Sequence, residues 1–164
     1  MMKPHEVAFK YIGQTEKPGN AGFNDDEFEA KMKAVGFNPT NAWCALFSEL
    51  VFKEAYPERV KELDKLFSAS AVQTYKNFKD AGFLMNELPY PGNLAIWQTQ
   101  KDGKPHWTGH AGIVYSVIDQ NTFECIEGNS NDQGGREGYI VAKRVRKVLR
   151  NVKDGLEILG FIQI

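Results

Sequence analysis

The hydrophobic and polar positions change character partway along the chain. Before residue 91 the apolar residues recur at helical spacing, and after it they alternate or run in short blocks. A short first helix is predicted over 6–12, followed by a loop over 15–21, where Pro18, Gly19 and Asn20 cluster. A second helix announces itself by its start. Asn24 is placed to cap it, with Glu27 as the partner of a capping box and Phe23 and Phe28 as a hydrophobic staple; Gly36 supplies the stop. A third helix is predicted over 42–55, capped by Asn41. Leu46, Phe47, Leu50, Val51 and Phe52 make it apolar nearly all round, as in a helix buried against a sheet. Two shorter helices are predicted over 58–67 and 70–81, the second ending at Gly82.

The second part reads as strands. Tyr90-Pro91-Gly92-Asn93 fits a type II turn. Strands are expected over 94–97, 111–117, 122–127, 139–144 and 156–163, with a polar loop over 98–109 that contains Asp102-Gly103. Helices first and strands after predict an α+β domain, with N-terminal helices packed on a C-terminal antiparallel sheet.

Length and charge narrow the picture. The 164 residues suit a single domain spanning 1–164, large enough to hold a core without a metal or disulfide scaffold. The formal net charge of -1 gives no overall field toward nucleic acid or an anionic membrane. No apolar run is long enough to span a membrane, and the N-terminal stretch lacks the apolar core and cleavage site of a signal peptide, so synthesis in the cytoplasm is expected. Count alone permits one disulfide between Cys44 and Cys125, but each lies in a pattern that gives it another job.

Cys44 falls in the first turn of the third predicted helix, where unpaired N–H groups and the helix field favour a thiolate. The competing reading is a buried core cysteine. His110 stands at the start of a predicted strand between Gly109 and Gly112, with a side chain suited to moving a proton between a thiol and a leaving amine. At the end of the next strand lies Glu127-Gly128-Asn129-Ser130-Asn131. A hairpin would bring it alongside His110. On an extended chain Glu127 and Asn129 face the same way, so either can orient the imidazole. Cys at a helix start, His at a strand start and a polar group at the next strand end form a papain-like order.

These pieces, Ala42-Trp43-Cys44-Ala45, Pro91-Gly92-Asn93-Leu94-Ala95-Ile96, Gly109-His110-Ala111-Gly112-Ile113-Val114 and Ile126-Glu127-Gly128-Asn129-Ser130, together resemble the CHAP amidases and endopeptidases, relatives of the NlpC/P60 peptidases. Glu16-Lys17-Pro18-Gly19-Asn20 and the ending Leu159-Gly160-Phe161-Ile162 are similar to elements of the same enzymes. Asn93 departs from the pattern, standing where relatives often carry Asp. The resemblance implies a papain-like CHAP/NlpC-P60 fold, Cys44 as nucleophile, His110 as base, and Glu127 and Asn129 as the further polar members of the site. It implies hydrolysis of an amide bond in peptidoglycan, without a cofactor or metal, on the cell wall after release or delivery. A holin would accompany a phage lysin; a secretion apparatus and an immunity protein would accompany an injected effector. Two other functions compete: a wall-binding module without turnover, and a cysteine amidase acting on a small amide or ordinary peptide.

Trp107 and Trp43 are candidate substrate contacts, Trp43 with a core role as an equal alternative. His106 with His110 gives an i,i+4 pair, but the intervening Gly109 argues against a helical metal site. Cys125 alternates with Glu127 and so is expected on the same strand face. Lys143, Arg144, Arg146, Lys147, Arg150 and Lys153 form a basic patch, read first as a solvated face and second as an attraction for anionic wall polymers.

Overall fold

The computed structural model describes residues 2–130 and 138–164. Among these residues five α-helices precede and flank a six-stranded antiparallel sheet: α1 Pro4–Phe9, α2 Asp26–Ala34, α3 Cys44–Ala55, α4 Val60–Leu66 and α5 Ala71–Asp80, then β1 Leu84–Asn86, β2 Leu94–Lys101, β3 Lys104–Asp119, β4 Thr122–Ser130, β5 Ile140–Lys147 and β6 Gly155–Gln163. A 3-10 turn, Pro57–Arg59, leads into α4. The strand order is β1-β6-β2-β3-β4-β5. The α+β class and the antiparallel sheet follow the expectation from sequence.

Several local starts differ from it. Asp25, not Asn24, caps α2, its carboxylate accepting from the Phe28 N–H at 2.7 Å. The Asn24 amide is a donor as well as an acceptor, and it spends its N–H groups on Thr15 and the Glu16 carbonyl; Asp can only accept, which is what a helix start needs. Glu27 pairs outward with Lys31. The Phe23–Phe28 contact does form, with ring centroids 4.7 Å apart. Asn41 caps nothing: α3 begins at Cys44, its cap residue is Trp43, and no side chain caps the first turn.

The predicted polar loop over 98–109 is instead the far end of a long hairpin. Asp102 (φ 52°) and Gly103 (φ 71°) both take left-handed backbone, and Lys101 pairs with Lys104. That is a two-residue type I′ turn, whose twist matches the strands it joins. Exposure is greatest at the hairpin's tip, residues 101–105, while Gln100 and Thr108 are buried, so the polar sequence marks neither irregular backbone nor uniform exposure. The short edge strand β1, paired with β6, carries too few residues to show a period of two.

The sheet has two unequal faces. One carries the main core: Leu94, Ile96, Ala111, Ile113, Ile126, Val141 and Ile162 pack against α1, α3 and α5. The other carries a smaller cluster of Ala95, Trp97, Val114, Phe123, Cys125, Ile158 and Phe161. Phe123 on β4 and Phe161 on β6 have ring centroids 5.2 Å apart, although two strands lie between their own. In a flat sheet those backbones would stand about 14 Å apart. The sheet therefore curls, with the smaller cluster on its concave side.

Two close approaches set the site's frame. Trp43 is fully buried, with ring centroids 5.0 Å from Phe23 and 6.3 Å from Phe28 and Phe47. This anchors the residue just before Cys44. Removing such a side chain costs about 3–5 kcal/mol. On β4, Gly128 leaves room for that cluster: a Cβ there would stand 2.6 Å from Phe47 Cβ and from the Trp43 ring. We predict that Gly128→Ala lowers stability by about 1–3 kcal/mol, the usual cost of overpacking a filled core. A urea midpoint equal to that of the parent protein would contradict this packing.

Candidate active site

Cys44 is the first residue of α3 and is 5 % exposed. The first turn of the helix contains no acidic residue and no capping side chain, so its N–H groups and dipole are left for the thiol. The backbone N–H groups of Ala45, from its own helix, and of Ala111, from β3, act on the sulfur and favour its charged form. Helix and sheet thus meet at the sulfur.

His110 lies on β3 opposite Trp97, whose ring is 5.7 Å away. It is 3 % exposed. Its Nε2 is 2.8 Å from Glu127 Oε2 on β4. That bond engages Nε2 and leaves Nδ1, buried and without a hydrogen bond of ordinary geometry, as the nitrogen available to the thiol; Cys44 and His110 interact with each other. Glu127 has no exposed surface. Both its oxygens are also gripped by Arg146 of β5, Nε to Oε1 at 2.6 Å and Nη2 to Oε2 at 2.6 Å.

The charges in this group are mutually dependent. Burial raises the Cys44 thiol, but the charge and contact of His110 and the two backbone N–H groups outweigh it, so the thiol lies below its ordinary range. Burial would lower His110; Cys44 and Glu127 reverse this and push it up to about 10. Burial would likewise raise Glu127, yet Arg146 and His110 hold it down to about 2. The favoured state is a thiolate–imidazolium pair backed by an ionised carboxylate. Such a pair can deliver an attacking sulfur and a proton for a leaving group.

Cys44 forms the floor of a cleft of about 380 Å³. Thr40, Asn41 and Ala42 line one part, Ala69, Ser70 and Ala71 another, and Trp107, Thr108 and Gly109 a third. His110 and Glu127 lie behind this surface. Thr40 holds a left-handed backbone (φ 77°), rare for a β-branched residue, and the side-chain oxygen of Asn20, in the amide orientation that satisfies both its ends, accepts from the Thr40 N–H at 3.1 Å. The 16–20 segment therefore supports one wall of the cleft.

The remaining sequence candidates divide. Trp107 is 72 % exposed and lines the cleft, on β3 and not in a loop. Trp43 is packed in the core and offers no surface to a substrate, so of its two readings the core role holds and the cleft-wall role does not. Asn129 is buried, but it sits at a bulge between Glu127 and Ser130 with φ 54°, so the alternation that would give it the direction of Glu127 is broken. Asn131 lies outside the described residues. His106 bonds Thr108 Oγ1 at 2.8 Å. Cys125 is buried and free, and shares the Glu127 face as its position predicted; a Cβ on Gly112 would meet both side chains.

The basic patch is not one surface. Arg146 turns onto the concave face, Arg144 reaches Ser130 Oγ at 3.0 Å, Lys143 pairs with Glu124 at 2.8 Å, and Arg150 bonds the Glu87 carbonyl at 2.8 Å. Arg146 is the site-adjacent residue that the sequence pattern hid, because its neighbours on β5 have the same charge.

Among the described residues no helix is long and apolar enough to cross a membrane. No protein-family model, curated protein or solved structure matches this chain.

Two predictions follow the electrostatics. The rate of Cys44 alkylation by iodoacetamide should rise with pH through a midpoint below the value of about 8.5 usual for a free thiol. A midpoint at or above that value would remove the ion pair. Hydrolytic activity should fall on the acid side as the thiolate is protonated, and on the alkaline side near pH 10, where His110 loses its proton. Separately, Glu127→Gln leaves Arg146 and His110 without their anion. It should destabilise the fold by about 3–5 kcal/mol, the range for breaking a buried pair, and move the alkylation midpoint upward. An unchanged melting temperature and midpoint would show that the carboxylate holds neither.

Proposed function

We propose that this protein is a cysteine hydrolase that cleaves an amide bond of peptidoglycan, on a papain-like CHAP/NlpC-P60 fold. The observation that carries the hydrolase reading is the Cys44–His110–Glu127 constellation: a thiol at a helix start, an imidazole against it, and a carboxylate on the ring's far nitrogen at 2.8 Å. The assignment of peptidoglycan rests on the resemblance of the motifs around these residues to the CHAP enzymes. The open cleft with Trp107 at its rim suits a polymeric or peptide substrate with uncharged groups near the scissile bond, since among the described residues its lining carries no ionisable side chain besides Cys44 itself.

The reaction would run as follows. The thiolate of Cys44 attacks the amide carbonyl, and the oxyanion that forms is held in part by the Cys44 N–H at the start of α3. His110, protonated, delivers its Nδ1 proton to the departing amine as the C–N bond breaks, leaving a thioester on Cys44. His110, now neutral, takes a proton from water, whose oxygen attacks the thioester. The acid product leaves, and the thiolate and imidazolium are restored. Glu127 keeps the ring plane and tautomer throughout. The protein would act on the wall after release or delivery, with a holin in a lytic setting, or with a secretion apparatus and an immunity protein in a competitive one.

The test is mass spectrometry of the soluble products released from several chemically distinct peptidoglycans by the protein and by Cys44→Ala. Stem peptides with a free L-alanine N-terminus, released by the parent protein alone, identify an N-acetylmuramoyl-L-alanine amidase. Cuts within the stem or crossbridge identify an endopeptidase. Equal release by Cys44→Ala would overturn the nucleophile. No release from any wall, with a reactive Cys44, would move the substrate to a small amide or ordinary peptide; with an unreactive Cys44 it would favour a binding module.

A further inference from the structure

Glu127 needs more than His110 to stay ionised where it lies. A carboxylate with no exposed surface carries a desolvation penalty of several kcal/mol. His110 offers it one hydrogen bond, to one oxygen. Arg146 contacts both oxygens, in the two-pronged geometry that a guanidinium provides and an ammonium does not.

The placement of Arg146 is specific. Register opposes it to Phe123, on the concave face that also carries Cys125 and Glu127. From there both arginines of β5 on this face lean along β4, Arg144 to Ser130 and Arg146 to Glu127. The guanidinium carbon stands 5.5 Å from the centre of the Trp97 ring on β2, and the same ring lies 5.7 Å from His110. Trp97 is thus a shared wall for the cation behind the carboxylate and the imidazole in front of it. Among the described residues, the ionisable groups set against Glu127 are His110 from β3, Arg146 from β5 and Cys125 from β4. Arg146 is the permanent cation of that set. Its side chain retains 19 % exposure, on the face of the sheet away from the helices.

We propose that Arg146 is a positioning residue for the Cys44–His110 pair: by gripping both oxygens of Glu127 it fixes the carboxylate against His110 Nε2 and keeps Nδ1 turned to the thiol. It touches neither thiol nor substrate. It acts through Glu127, from the opposite side of the sheet to the cleft. The proposal rests on Cys44 being the nucleophile and is independent of which amide is cut.

The experiment is the pH dependence of Cys44 alkylation by iodoacetamide in the full chain. It is read by peptide mass to separate Cys44 from Cys125, and run beside thermal unfolding. In Arg146→Ala the midpoint should rise by about one pH unit or more, with a rate at pH values below both midpoints lower by about tenfold. Added guanidinium ion, below denaturing concentration, should restore part of that rate in Arg146→Ala and none in the parent protein. Arg146→Lys keeps the charge but loses the fork, and should give a smaller rise. A merely structural arginine would lower the melting temperature without moving the midpoint, so a parent-like midpoint in folded Arg146→Ala overturns the proposal. If Arg146→Ala does not fold, a parent-like midpoint in Arg146→Lys overturns it equally. A parent protein whose Cys44 titrates as an ordinary thiol removes the nucleophile and the proposal together; a low parent midpoint unmoved by both variants removes the proposal alone.

Discussion

The ionised carboxylate of Glu127, buried beneath the sheet's curl, is the constraint on which the site depends. At the dielectric that describes most protein sites, one opposite charge at about 4 Å is worth about 4 kcal/mol, comparable to the cost of burying the ion itself. One partner leaves the balance marginal, and two make it favourable. Glu127 has two, His110 before it and Arg146 behind it. Cys44, His110, Glu127 and Arg146 therefore alternate in sign, each charge stabilised by its neighbours. The reactive end of that series is the thiolate at the start of α3.

The fold supplies what the series requires. Cys44 comes from a helix and the other three from consecutive strands, so helix-to-sheet packing must be held closely. Trp43 and the phenylalanines of α2 and α3 lock the helix start, and Gly128 lets β4 pass directly beneath them. The curl of the sheet brings Trp97 of β2 against Arg146 of β5, which a flat sheet would hold apart. Core packing and charge placement are thus the same feature seen from the two faces of the sheet.

The cleft is chemically unlike the group behind it. Apart from Cys44 its described lining is neutral, with small side chains around the sulfur and one large exposed ring, Trp107. Charge lies behind the cleft and shape lies in front. Such a division lets the thiolate be set by the protein's own buried ions, while the front surface offers shape and one aromatic ring.

Much of this was legible in the sequence. Helical spacing before residue 91 and strand-like blocks after it determined the α+β class, because burial on one face of a helix or strand leaves a period that needs no tertiary information. Cys44, His110 and Glu127 were legible for a similar reason: Cys44 starts a helix, and hairpin connection alone brings β3 beside β4, although His110 lies within β3 and not at the strand start expected of it. What tertiary structure decided is where alternation fails or says nothing. A bulge turned Asn129 out of step with Glu127. An Asp-Gly turn made strands of a polar stretch that looked like loop. A core pocket took Trp43 from the cleft. Arg146 is the sharpest case, since along β5 it is one cation among several. Only strand register and the curl of the sheet select it to meet Glu127, because those long-range pairings determine which of several equivalent charges is carried inside.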